Sequence, residues 1–178
     1  HGLPVSNTPG VLTDATADLT LTLMLMLCRR AGEGEREVRA GAWSGWRPTH
    51  LVGQSMTGKR LGIIGLGRIG RAVAHRAHFG FGMEVGFHNR SKVDDGGGVG
   101  GTQYASVTEL CAASDFVSLH CAATPDTFQI LDETALGAMP PDSYVINTAR
   151  GDVVDEAALV AALESGSIAG AGLDVYQG

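Results

Sequence analysis

The sequence is poor in several features that mark particular protein classes. It has three cysteines, Cys28, Cys111 and Cys121, an odd number without metal-ligand spacing. That argues against a disulfide framework or a structural metal site, and reduced, buried thiols in a cytoplasmic protein are expected. Positive charge is scarce, with 13 Lys and Arg against 19 Asp and Glu, and the net charge of −6 argues against a nucleic-acid or anionic-membrane partner. No apolar run approaches the roughly 20 residues a membrane helix needs; the longest, Leu19 to Cys28, is interrupted by Thr20 and Thr22. No internal repeat is visible.

Glycine, by contrast, is abundant, and its placement carries the first positive signal. Arg60-Leu61-Gly62-Ile63-Ile64 has buried-strand character and runs into Gly65-x-Gly67-x-x-Gly70. From Arg71 to Gly80, Val73, Ala74, Ala77 and Phe79 fall at helical spacing. Strand, glycine turn and helix in this order read as a dinucleotide site. One glycine allows the tight turn, one lets a pyrophosphate approach the backbone, and the third lets the helix lie against the strand with its free N–H groups facing the phosphates.

The remaining chain alternates strand and helix signals. Residues 1–13 read as an extended piece entering a turn, with Thr13 or Asp14 as helix cap, and Ala15 to Arg39 as one long helix despite the alternation of Leu19, Leu21, Leu23, Leu25 and Leu27. Residues 41–58 form a loop containing Trp43 and Trp46, either packed under the loop or anchoring an interface. Met83 to His88, Asp115 to His120, Ser143 to Asn147 and Ile168 to Tyr176 read as strands. Ser106 to Ser114 (capped by Ser106), Asp132 to Met139 and Asp155 to Glu164 (ended by Gly166) read as helices. Asp94 to Gly101, with five glycines in eight residues, reads as a flexible surface loop. The sum is an α/β chain, a Rossmann-type doubly wound parallel sheet forming a single dinucleotide-binding domain whose core spans 59–178.

In such sheets ligands sit beyond the carboxyl ends of the strands. After the second strand, where an acid would accept a ribose 2′-hydroxyl, stand Asn89, Arg90, Ser91 and Lys92. A guanidinium, a hydroxyl and an ammonium suit a 2′-phosphate, so NADP is expected ahead of NAD, Glu84 lying at the far end of the strand. Later strand tips present His120-Cys121, Asn147-Thr148-Ala149-Arg150 and Asp174. Arg150 can pair with a carboxylate and polarise a neighbouring carbonyl, and Asp174 can accept from a carboxamide. His120 is read as the one histidine at a strand mouth, lining the adenosine side; His75 and His78 are read as structural.

Four stretches, Asn7 to Asp18, Gly65 to Gly70, Ile146 to Asp155 and Gly170 to Tyr176, resemble the D-isomer-specific 2-hydroxyacid dehydrogenases, most of all glyoxylate/hydroxypyruvate reductases. The resemblance covers essentially the whole chain but only the middle of a typical member; both ends read as cut, with the substrate domain absent. It implies Arg150 as the catalytic arginine, and as cofactor contacts Gly65, Gly67, Arg68, Ile69, Gly70, Asn89, Arg90, Ser91, Lys92, His120, Cys121, Thr127, Thr148, Ala149, Arg150 and Asp174. It further implies a small 2-oxo or 2-hydroxy acid substrate, a homodimer, and a catalytic glutamate and histidine beyond Gly178, so that these residues alone would be inactive. Two departures stand out: members usually carry a proline near Ala122, and a helix where Asp94 to Gly101 lies. A nucleotide-sensing, corepressor-like protein on the same fold is the competing class, against which the negative charge and Arg150 weigh.

Overall fold

The computed structural model describes residues 10–177, so the extended piece expected before Gly10 lies largely outside it, as does Gly178. Helices α1 (Thr13–Cys28) and α2 (Ala31–Arg39) precede six strands: β1 (Arg60–Ile64), β2 (Glu84–His88), β3 (Thr102–Gln103), β4 (Phe116–Leu119), β5 (Tyr144–Asn147) and β6 (Gly170–Leu173). Between them run α3 (Arg68–Phe81), α4 (Val107–Ala112), α5 (Glu133–Gly137) and α6 (Glu156–Ser165). The strands form one parallel sheet in the order β3-β2-β1-β4-β5-β6. Every carboxyl tip therefore lies on one rim, and the order reverses between β1 and β4, where ligands of doubly wound sheets bind.

Two apolar layers cover the sheet. On one face Ala17, Leu21, Met24 and Cys28 of α1 join Val73, Ala74 and Ala77 of α3 over Leu61, Ile63 and Phe87. On the other, Leu110, Leu136 and Leu159 of α4, α5 and α6 pack with Ile64, Val117, Leu119 and Val145. The buried positions of α1 recur at helical intervals, so of the alternating leucines only Leu21 is fully covered and helix prevails over strand. Ser106, Asp132 and Asp155 cap α4, α5 and α6 by accepting from Glu109, Ala135 and Ala158 N–H, and Gly166 ends α6 in the left-handed region.

Several expectations need correction. The long helix from Ala15 to Arg39 is two helices. Residues 53–54 cross the end of α1, and Gln54 N–H donates to the Cys28 carbonyl (2.9 Å), which a continuous helix would offer to residue 32; Arg30 turns left-handed at φ 52°. Neither Thr13 nor Asp14 caps α1: Leu12 precedes it without a side-chain cap, and Asp14 pairs with Arg76 of α3. The last strand stops at Leu173, short of Tyr176. β3 escaped the sequence reading because two residues make no hydrophobic pattern.

The glycine-rich crossover is not a loose loop. Gly96–Gly98 form a 3₁₀ turn, Gly101 N–H closes on the Gly96 carbonyl (2.8 Å), and buried Gly97, at φ 75°, lies where a Cβ would come within 2.9 Å of Leu66 Cδ2. Asp95 holds the turn by accepting from Gly97 N–H and pairing with Arg71 of α3.

Candidate active site at the carboxyl ends of the strands

The three glycines after β1 answer to three different constraints. Gly65 has φ 95°, and a Cβ there would stand 2.7 Å from Cys121 N and 2.9 Å from the His120 carbonyl carbon, so the turn presses on the tip of β4. Gly70 faces the strand, its missing Cβ only 2.5 Å from the Gly65 carbonyl oxygen. Gly67, the residue before α3, has nothing within 4 Å of a built Cβ, and α3 has no side-chain cap. Its leading N–H groups, those of Arg68 and Ile69 among them, therefore face open space with the positive end of the helix dipole. Such an arrangement can cradle a phosphate, and the residues present fit a dinucleotide.

A cleft of about 480 Å³ opens at this point, between the tips of β1, β2 and β4. Gly65 and Gly67 form its floor, Asn89, Arg90 and Ser91 one end, and His120, Cys121 and Thr127 the other. Asn89 ties two parts of the site together: its side-chain carbonyl accepts from Leu66 N–H in the glycine turn (3.3 Å), and its amide donates to Ser91 O and Oγ (3.1 Å each). Arg90 is exposed and has no hydrogen bond or ion pair among the described residues. Lys92 does not line the cleft and pairs instead with Asp94 (2.7 Å) on the surface, which leaves Asn89, Arg90 and Ser91 as the residues of this turn that line the cleft.

The far wall, Asp126 apart, is built of His120, Cys121, Ala122, Thr124, Thr127 and Ile130. Burial pushes the His120 imidazole down to about 4, and Ser118 Oγ lies 2.8 Å from its Nε2, so it is uncharged at neutral pH. Burial raises the Cys121 thiol, which is only half-buried rather than enclosed like Cys28 and Cys111. Thr127 accepts from Thr124 N–H (2.8 Å) and donates to Ala122 O (2.6 Å), so its hydroxyl shapes the wall. Sequence reading missed His88, the last residue of β2, and Asp126 and Ile130, which also line the cleft. His88 is thus a second histidine at a strand mouth, and its position at the end of the predicted strand was the available signal. His75 packs against Phe79 at a tilted angle, and His78 Nδ1 meets the Met83 carbonyl, both away from the cleft.

Farther along the same rim, the Asn147 side chain shapes the turn after β5: its carbonyl accepts from Ala149 N–H (3.0 Å) and its amide donates to Arg150 O (2.8 Å). Arg150 is exposed, one guanidinium nitrogen resting on Ala149 O (2.6 Å). Thr148 is buried against α1, its hydroxyl 3.1 Å from that of Thr20. Asp174 sits exposed one residue past β6 and donates its N–H to Asn147 O (2.9 Å). Arg68, Ile69, Gly70, Lys92, Thr148, Ala149, Arg150 and Asp174 thus stand outside the 480 Å³ cleft, Arg150 and Asp174 exposed farther along the same rim.

Comparison with known proteins follows this geometry. Residues 21–178 match the family model described as "D-isomer specific 2-hydroxyacid dehydrogenase, NAD binding domain". A glyoxylate reductase of Thermococcus litoralis is 46% identical over 181 residues, covering 99% of this chain and 54% of its own. An NADPH-dependent glyoxylate/hydroxypyruvate reductase from Sinorhizobium meliloti, solved with NADP and malonate, superposes with a TM-score of 0.90 at 38% identity, covering 99% of this chain and 54% of that one. A D-lactate dehydrogenase from Aquifex aeolicus, solved with NAD and lactic acid, gives 0.87 at 34% identity, covering 99% and 52%. The chain spans about half the length of the curated relatives it matches.

Proposed function

Since this chain belongs to the D-isomer-specific 2-hydroxyacid dehydrogenases through their NAD-binding domain, we propose that it holds NADP(H) in preference to NAD(H) and serves the reduction of a small 2-oxo acid of the glyoxylate or hydroxypyruvate type. The observation that carries the cofactor reading is the end of β2. No carboxylate stands there, and an unpaired guanidinium at Arg90 and the Ser91 hydroxyl face the cleft beside the phosphate cradle. An acid at that place would hold a ribose diol and repel a 2′-phosphate.

The bound nicotinamide supplies the hydride; the chain's own residues bind and orient. The α3 N–H groups would hold the pyrophosphate, and Asp174 would accept from the carboxamide. Arg150, always cationic, exchanges its contact with Ala149 O for the substrate carboxylate and stabilises charge growing on the neighbouring carbonyl oxygen. His120 is neutral and confined to the wall, which suits a lining role and not delivery of a proton at neutral pH. In the whole protein the proton donor and its carboxylate partner would come from chain beyond these residues, which by themselves should bind cofactor without turnover. We place the protein in the cytoplasm as a homodimer paired through the exposed Leu25 and Met26 of α1 and Trp43 and Trp46 of the loop after α2.

The reading is tested by titrating the protein with NADPH and NADH and by replacing Arg150. NADPH should bind at least about tenfold more tightly, as expected for one charge-assisted phosphate contact. In the whole protein, Arg150→Ala should lower kcat/KM for glyoxylate or hydroxypyruvate by roughly a hundredfold or more while leaving NADPH affinity within about threefold. Tighter NADH binding, or an unchanged rate, would refute the corresponding half.

A further inference from the structure

We propose that Gln103, which does not itself line the cleft, is a positioning residue that fixes the 89–93 loop in the shape that reads the cofactor's 2′-phosphate. The inference rests on the cofactor reading above and names the residue that makes the preference possible.

Gln103 lies on β3, the sheet's edge, in register with Phe87 of β2. Its side-chain carbonyl accepts from Val93 N–H (3.0 Å), and its amide donates to Asn89 O (3.2 Å) and Ser91 O (3.1 Å). All three bonds of this side chain end on the backbone of one five-residue loop. Only a carboxamide of this length offers one acceptor to an N–H and two donors to carbonyls; a glutamate would set a carboxylate against two carbonyl oxygens, and a lysine would leave Val93 N–H unmet. The partners also fix which way the amide points.

From the inner side Asn89 completes the clamp, bonding Ser91 and the Leu66 N–H of the glycine turn. Ser91 Oγ is used there as an acceptor, so its O–H hydrogen remains available to a phosphate. Arg90 stands between two residues whose carbonyls are both held, with nothing engaging its own guanidinium among the described residues. The loop backbone is thus fixed before ligand arrives while its donors stay free. Such preorganisation favours the phosphorylated cofactor because little ordering is left for the binding step. NADH, lacking the 2′-phosphate, draws little from it.

The test is Gln103→Glu and Gln103→Met, the second keeping the side chain's bulk, with dissociation constants for NADPH and NADH measured by titration and folding followed by circular dichroism. Both variants should weaken NADPH about tenfold and NADH less than about threefold, so that the preference collapses. Parallel losses for the two nucleotides, no loss for either, or failure of both variants to fold would overturn the inference while leaving the cofactor reading standing. A wild-type protein that does not prefer NADPH would remove that reading, and this inference with it.

Discussion

Replacing Gly67 by alanine separates binding from folding. The residue's φ of −83° and ψ of −159° suit any amino acid, and an added Cβ meets no atom within 4 Å. The substitution should leave the fold unharmed and even stabilise it by about 0.4–1 kcal/mol through the lost freedom of the unfolded chain. The methyl would, however, project into the space assigned to the pyrophosphate. If overpacking there costs the usual ~1–3 kcal/mol, the NADPH dissociation constant rises roughly five- to 150-fold. Gly65→Ala is the converse. At φ 95°, with Cys121 N at 2.7 Å, Cys121 Cα at 2.8 Å and the His120 carbonyl carbon at 2.9 Å, all of them backbone, strain and overlap together should cost about 2–5 kcal/mol. Urea unfolding followed by circular dichroism gives the first quantity and calorimetric titration the second. A Gly67→Ala protein that binds NADPH like the wild type would show that no phosphate lies over this turn.

Acid should act partly through His120. Its folded value of about 4 lies below the unfolded 6.5, so the unfolded chain takes up the proton first; stability is full above about pH 6.5 and falls as the pH drops toward 4. Near pH 4.5 this group alone accounts for about 2–3 kcal/mol, and His120→Gln should flatten the acid limb of a urea-midpoint profile by that much; an unchanged limb would contradict the assignment. Asp115, held down by Arg60, loses stability over the carboxylate range with the same sign. Thr20→Val removes the buried partner of the Thr148 hydroxyl and should cost about 1–3 kcal/mol in chemical denaturation. Asp155→Ala deletes the cap on α6 and should lower stability by about 0.5–2 kcal/mol, read as a shift in urea midpoint without a change in slope.

Much of the fold was legible because the information was local. The turn from Gly65 to Gly70 carries its strand and helix beside it, Ser106 stands one residue before the helix it caps, and β1, β4 and β5 are short apolar runs that only a sheet covered on both faces can bury. What escaped depended on distant partners. Nothing between Ala15 and Arg39 announces that Gln54 will take the Cys28 carbonyl, and the only local sign of a break is the weak helix former glycine at Gly32 and Gly34. Lys92 reads from the sequence as a phosphate ligand, and its ion pair with Asp94 on the surface is a contact that spacing does not reveal. Gln103 carries no motif at all, and its significance lies in which backbone its amide meets.

The glycine turn between β2 and β3 has a consequence for how this protein can change. Surface crossovers are ordinarily where homologous chains vary and gain insertions most freely. Here Gly97 fills a buried slot against Leu66, and a Cβ on Gly96 would strike Gly101 N at 2.6 Å, both at positive φ, so these two positions do not accommodate a side chain despite the segment's lying on the outside. In a saturation-mutagenesis survey scored on cofactor retention, Gly96 and Gly97 should stand out as intolerant positions on an otherwise permissive exterior, and drift in nucleotide preference would have to arise in the 89–93 loop or at Gln103, which holds it.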